Sequence, residues 1–528
     1  MDKKYAYGLT ALVALAIIAI LVFKSGNDKS DKYIELVPAN STIVNYTDIM
    51  SLVKKSDIAN NGIGEKMTSG NAISDVLKKY LDDPKKIGLD ARKPVYIFAN
   101  ANDSTTGIAI KMLDDDDFGN FLSDLHKEDG VISEVSEKDG LQTASLAGYG
   151  CVAFNEDAAL ILVSGKNKPE KTTTKACQLF KLKPEEQFAK TPDFKRMKAA
   201  KGDSRTYLSM DLLMELPNHI SFISLPDSSE IKKMRLMLDT QFNKGEASIT
   251  GEIYSNDTAT ARLLTDKWKN IRHVKGDYLS LMDSKGFLFL TESIDGATIV
   301  KEMDREAKAY GDLGNLLKSA HEQELFAKIK NIIKEADGDA ALSIGLTRDG
   351  MVPIAIHLAA KMKGTNFLAD GDYWMRQANR YSHLEFGDFD MDDEQPRPEV
   401  MTKLDNNTYA LTLMGIQTKV GVDGGNTFYL TTKESASDML KQPVNSSLAA
   451  QKKDVTNSYG YALIDLKTAK PLIEEVYGTR TPFSTVANVI ESITLNVCDI
   501  NKGVLKLNMT DHQSNALKQL VELYLKVE

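Results

Sequence analysis

Apolar, β-branched and aromatic residues fall in short runs, and turn residues separate them. Thr42–Tyr46, Pro94–Ala101 and Gly107–Met112 read as strands, the last two joined around Asn102-Asp103-Ser104-Thr105. Elsewhere the period changes from about two to about 3.6. Asp48–Ser56 reads as the start of a helix. Phe118, Phe121, Leu122 and Leu125 share a helical face that opens at Asp114–Asp117. Gly150–Ser164 predicts a hairpin turning at Asn155-Glu156-Asp157. Two further amphipathic stretches follow long strand patterns. One is capped by Asn256-Asp257, with Leu264, Trp268 and Ile271 on a face. The other is capped by Asp511, with Leu517, Leu520, Val521, Tyr524 and Leu525. Strands arriving in hairpins, with helices between the pairs, predict an α+β fold with mostly antiparallel sheets.

The pattern is written twice. YIELVPANSTIVNYTDI (Tyr33–Ile49) and YLSLMDSKGFLFLTESI (Tyr278–Ile294) align without a gap, 245 residues apart. Further anchors keep their order: Phe121-Leu122 with Phe367-Leu368, Val152–Leu162 with Val420–Leu430, Thr206–Leu212 with Gly460–Leu466, and Asn243-Lys244-Gly245 with Asn501-Lys502-Gly503. In the second hairpin the turn is Asp423-Gly424-Gly425-Asn426, where glycine and asparagine suit positive φ. The expected organisation is two tandem copies of a sheet-plus-helix domain, residues 33–272 and 276–528.

Tyr5–Phe23 holds 19 residues without a charge. As a helix it spans about 28 Å, near the thickness of a bilayer's hydrocarbon core. Phe23-Lys24-Ser25-Gly26 offers no small-residue cleavage site. The segment therefore predicts an uncleaved transmembrane anchor, a cleaved signal peptide being the alternative, with Ser25–Lys32 as a short polar linker. Flanking lysines do not set its orientation. An anchor at the start of a long hydrophilic chain commonly exports that chain, so the expected location is the cell membrane, single-pass, with the bulk extracytoplasmic.

Composition changes this picture little. The 528 residues are 42% hydrophobic and 26% charged, an ordinary globular balance. A net charge of −9 argues against nucleic acid as a partner. Cys151, Cys177 and Cys498 match no metal knuckle and read as buried or incidental thiols, with a Cys151–Cys177 bridge as an alternative.

The copies differ in charge. Lys166–Lys201 carries eleven Lys or Arg against four acids. It suits an anionic ligand such as a lipid or polymer, an acidic envelope protein, the acidic stretch of the second copy, or a solvated helix with Phe180, Leu182, Phe188 and Phe194 turned inward. The second copy instead carries EFGDFDMDDEQPRPE (Glu385–Glu399), with seven acids and one arginine. Asp388, Asp390, Asp392 and Glu399 stand at positions 1, 3, 5 and 12 of a calcium-loop spacing, and are the candidate metal ligands. Asp393 occupies the position that needs glycine, and Pro396 and Pro398 stiffen the closing half, so a solvated acidic loop competes with the ion site. No other cofactor is indicated.

Catalytic signatures are missing from the sequence: no G-x-S-x-G, H-E-x-x-H, Walker A loop or C-x-x-C. No two of the seven histidines lie within five residues of each other, and His357 sits in the apolar run PIAIHLAA, which favours a structural role. No catalytic residue is assigned. A site built from dispersed carboxylates remains the rival reading.

Pro38, Ser41, Ile43, Val44, Leu52, Lys54, Lys55 and Ser56 give the opening segment the pattern of an uncharacterised bacterial cell-envelope family, "domain of unknown function four-eight-three-six", which the chain resembles from Tyr33 onward. Many members look like lipoproteins, whereas this chain has an apolar anchor and no nearby cysteine. The resemblance implies an envelope location and no known activity. The expectation is a membrane-anchored extracytoplasmic binding, scaffolding or sensing protein, with an envelope hydrolase as the alternative.

Overall fold

The predicted strands and helices take shape in a computed structural model that describes residues 31–58, 80, 84–90, 92–129, 132–146, 150–165, 169–215, 228–266, 271–310, 320–347, 353–385, 399–413 and 415–527. The predicted anchor Tyr5–Phe23 lies outside them. No helix among the described residues is long and apolar enough to cross a membrane. Helices and antiparallel strands give the expected α+β class. The chain divides into two compact units: residues 1–221, 225–262 and 511–528, and residues 222–224 and 263–510.

The first unit contains β1 (Ile43–Thr47), β2 (Val95–Asn100), β3 (Thr105–Lys111), β4 (Ser136–Lys138), β5 (Leu141–Leu146), β6 (Gly150–Phe154), β7 (Ala158–Ser164), β8 (Ser204–Ser209), β9 (Met234–Asn243) and β10 (Glu246–Ser255). Their pairings are antiparallel in the order β4-β5-β6-β7-β3-β2-β1-β8-β9-β10. The central strands are buried on both faces. Ile108, Ile110, Val152, Phe154 and Ile161 join one cluster with Phe118, Phe121 and Leu122. Ala109, Cys151, Ala153, Leu160 and Leu162 face the other, with Phe188 and Phe194. Side chains alternate across a strand, so a strand covered on both sides reads as a continuous apolar run.

Three helices of this unit follow local chemistry. In α1 (Ile49–Ser56) the Ser51 amide donates to Asp48 Oδ1 at 2.9 Å, and the helix ends at Asp57 in the left-handed region. In α2 (Asp115–Asp129) the Asp117 amide donates to Asp114 Oδ1 at 3.0 Å, so the acidic run caps the helix. α3 (Pro169–Leu179) lies in the basic segment, where Phe188 and Phe194 are buried and Phe180 and Leu182 pack against the same cluster. Cys151 and Cys177 are free and buried there, and Cys498 is free and half-buried in the second unit.

The second unit contains β11 (Gly286–Asp295), β12 (Ala336–Leu346), β13 (Ile354–Met362), β14 (Met401–Lys403), β15 (Thr408–Leu413), β16 (Ile416–Val422), β17 (Thr427–Thr431), β18 (Gly460–Asp465), β19 (Ile490–Asp499) and β20 (Lys502–Met509). They pair antiparallel as β14-β15-β16-β17-β13-β12-β11-β18-β19-β20. The β16–β17 turn falls at Asp423–Asn426. There Asn426 takes the positive φ (59°), the two glycines do not, and Asp423 Oδ1 accepts from the Gly425 and Thr427 amides. One face of this sheet packs Phe289, Tyr461 and Leu463 against Tyr278, Leu281 and Met439. Over the other face lie α4 (Gly296–Tyr310) and α5 (Ala320–Glu335). A Cβ at Gly296 would run into the Ile333 carbonyl, so glycine allows α4 to begin against the end of α5.

Candidate functional site

The alternation of β11 sets up a concavity in the second unit. Phe289, Thr291 and Ser293 are buried on one face, whereas Leu290 and Glu292 are exposed on the other. Beside Glu292 stand two small residues, Ala340 on β12 and Gly460 on β18, its direct cross-strand partners. Beside Leu290 on β18 stands Ala462. Small residues on the two strands flanking β11 leave room that leucine or phenylalanine would fill.

The result is a cavity of about 690 Å³, within the range of small-molecule sites. Leu290, Leu342, Leu358 and Leu495 form its floor, and Ile299 of α4 with Ile332 and Ile333 of α5 line its wall. Leu290 and Leu495 remain 39% and 43% exposed, so this apolar surface is open from the cavity side. Among the described residues, Glu292 is the one carboxylate in the lining. It is open to an entering molecule yet flanked by apolar side chains, and that burial raises its pKa above the usual carboxylate value. Among the described residues it has no hydrogen bond or ion pair.

A second concavity of the same unit, about 490 Å³, is polar. His357 and Ser343 are cross-strand partners within it, and both are buried. His357 Nδ1 lies 2.9 Å from Thr431 Oγ1, and burial followed by the nearby Lys433 lowers its pKa to about 4. It is therefore a neutral, structurally engaged histidine, as its apolar strand suggested. Asp283 pairs with Lys433 at 3.5 Å, and among the described residues it is the one carboxylate lining this concavity.

Of the candidate calcium ligands, Asp388, Asp390 and Asp392 lie outside the described residues, and Glu399 is exposed. Among the described residues no group of three or more His, Cys, Asp or Glu is placed to hold a metal. Sequence reading missed Glu292. The available signal was an acid in the stripe Leu288, Leu290, Glu292, Ile294, in a strand otherwise apolar on that face.

No curated protein matches the chain. Among solved structures, crystal form I of TP0453 matches at 13% identity, covering 48% of this chain and 91% of that chain, with a TM-score of 0.27. Crystal form IV matches at 12% identity, covering 42% of this chain and 79% of that one, with a TM-score of 0.26. Overlap of that extent carries neither fold nor function across. A family model matches residues 33–516, so the chain belongs to the family described as "Domain of unknown function (DUF4836)".

Proposed function

We propose that this is a binding protein of the bacterial cell envelope, anchored in the membrane by Tyr5–Phe23 with its bulk extracytoplasmic, and that it holds a small apolar ligand in its second unit. The observation that carries the reading is the 690 Å³ cavity with its leucine floor and isoleucine wall. Apolar surface left open in a concave site gains about 25 cal/mol per Å² when a ligand covers it. The hydrolase reading needs partnered acids in one cleft, and among the described residues each concavity is lined by a single carboxylate, Glu292 or Asp283.

The strand orders support tandem duplication as the origin of the two units. Strands β4-β5-β6-β7-β3-β2-β1-β8-β9-β10 of the first correspond one for one to β14-β15-β16-β17-β13-β12-β11-β18-β19-β20 of the second. Ten strands in one shared non-sequential order are hard to reach independently.

The test is a titration of the full-length protein, held in a peptide belt, with the apolar fluorophore N-phenylnaphthylamine. Saturable one-to-one binding is expected, and Gly460→Leu is expected to abolish it. A Cβ at Gly460 meets its nearest atoms at 3.6 Å or more, so a larger side chain is seated there without a backbone clash. Saturable binding that Gly460→Leu leaves intact would place the ligand elsewhere.

A further inference from the structure

The duplication exposes what is particular to this cavity. Register fixes the equivalent positions: Thr47 pairs with Ser204 in the first unit as Glu292 pairs with Gly460 in the second, and Asn45 pairs with Thr206 as Leu290 pairs with Ala462. In the first unit these four residues are all polar and satisfy one another. Asn45 Nδ2 donates to Ser204 Oγ and Thr206 Oγ1, each at 2.9 Å, and Thr47 Oγ1 donates to Asn45 Oδ1 at 2.6 Å. In the second unit the same four places hold leucine, alanine, glycine and one carboxylate. The partners a polar group would need are gone, and the acid alone is left.

Once a ligand covers the apolar surface around it, a carboxylate loses its water and costs free energy unless something pairs with it. Among the described residues, nothing in the lining does so. The other lining side chains are aliphatic or aromatic, apart from Thr291 and Tyr461, and these two lie on the buried face of their strands, where both are under 8% exposed. We propose that the cavity binds a cationic amphiphile: an apolar chain on the leucine floor, with one ammonium group paired to Glu292. An ammonium supplies the missing charge partner and three donors, which a carboxylate ligand cannot do. A hydroxyl supplies one donor and no charge. The apolar surroundings disfavour the ionised form of Glu292, and an ammonium beside it favours that form again.

This rests on the cavity being a binding site, and the experiment separates the two claims. The full-length chain in a peptide belt is titrated calorimetrically with octylamine, octanol and octanoate at pH 7. Identical chains cancel the apolar contribution, so the difference reads the head group. Octylamine is expected to bind at least tenfold more tightly than octanol, and octanoate the most weakly. Glu292→Gln is expected to remove the preference, bringing octylamine to the level of octanol in the same variant. Because Gln is isosteric and removes an unpaired charge, this variant is expected to fold at least as well as wild type. Glu292→Leu serves as a second variant with the same expected loss of preference. Gly460→Leu is expected to weaken all three ligands. Equal affinities for the three in wild type, or an amine preference that survives Glu292→Gln, would overturn the ammonium site and leave the cavity standing. If none of the three binds, both the ammonium site and the apolar-ligand reading fall.

Discussion

Burial acts on His357 and Glu292 in opposite senses, because one group is neutral when deprotonated and the other when protonated. His357 has its pKa lowered to about 4 by burial and by Lys433, with Asp283 opposing. A histidine depressed in the folded state contributes stability above its unfolded pKa of about 6.5, and that contribution is lost as pH falls toward 4. The shift corresponds to roughly 2–3 kcal/mol over that window. Urea unfolding at pH 7 and pH 4.5 is therefore expected to show wild type losing about that much more than His357→Gln, whose amide does not titrate there. Equal losses in both proteins would mean that His357 is not held neutral. The histidine's role was legible in PIAIHLAA, because an apolar run on both sides of a polar residue predicts a buried, hydrogen-bonded one. Glu292 was not, because acids are ordinary in strands until the neighbours across the sheet are known to be Ala340 and Gly460.

At the scale of elements, α1 is held by a buried acid that local sequence does not reveal. Asp203 is 7% exposed. Its carboxylate accepts from Ser51 Oγ at 2.6 Å, from Lys55 Nζ at 2.7 Å and from the Phe242 amide at 2.8 Å, tying α1 to β9. Burial by itself would raise its pKa, but these hydrogen bonds and the Lys55 charge outweigh it and hold the carboxyl below its usual value. Asp203→Ala is expected to cost on the order of 2–4 kcal/mol in urea unfolding, since it strands a buried amide and a lysine together. The helix Ala516–Val527 also packs on α1, with Lys518 paired to Asp57 at 2.8 Å and Ala516 and Leu523 buried. A chain ending at Thr510 is expected to show faster hydrogen exchange in α1. Unchanged protection there would mean that the helix contributes nothing to that element.

Sequence patterning gave that helix its face but set its cap too early. Asp511 accepts from the Gln513 and Ser514 amides in a preceding turn, while Asn515 Oδ1 accepts from the Leu517 amide at the helix start. The strand anchors slipped in a different way. Register matches Tyr207 of β8 with Leu463 of β18, two residues beyond the Tyr461 that sequence alignment suggests. The β9–β10 turn is Lys244-Gly245, and its counterpart between β19 and β20 is Ile500-Asn501, again two residues from the sequence anchor. A two-residue slip keeps every side chain on its own face, so apolar alternation cannot detect it. The hairpins and the faces of these strands were therefore readable, while the residue-level pairing that places Gly460 beside Glu292 was not.

For the whole molecule, the proposed duplication predicts an asymmetric response. Both units carry the same ten-strand order, but the first fills the equivalent place with the Asn45, Thr47, Ser204 and Thr206 hydrogen bonds and the second leaves it open. Anything that binds the folded second unit stabilises it by RT ln(1 + [L]/Kd), about 2.7 kcal/mol at a hundredfold excess over Kd. Hydrogen exchange of the full-length protein with saturating octylamine is thus expected to slow in β11, β12 and β18, where strand amides border the cavity. Amides of β1, β2 and β8 are expected to exchange as before, because the equivalent side chains there hydrogen-bond one another and offer neither an apolar floor nor an acid. Protection in both sets would mean that the amine acts through general association with the chain. Protection confined to β11, β12 and β18 would show that the site lies where the polar network of the first unit has been replaced by small apolar residues and one acid.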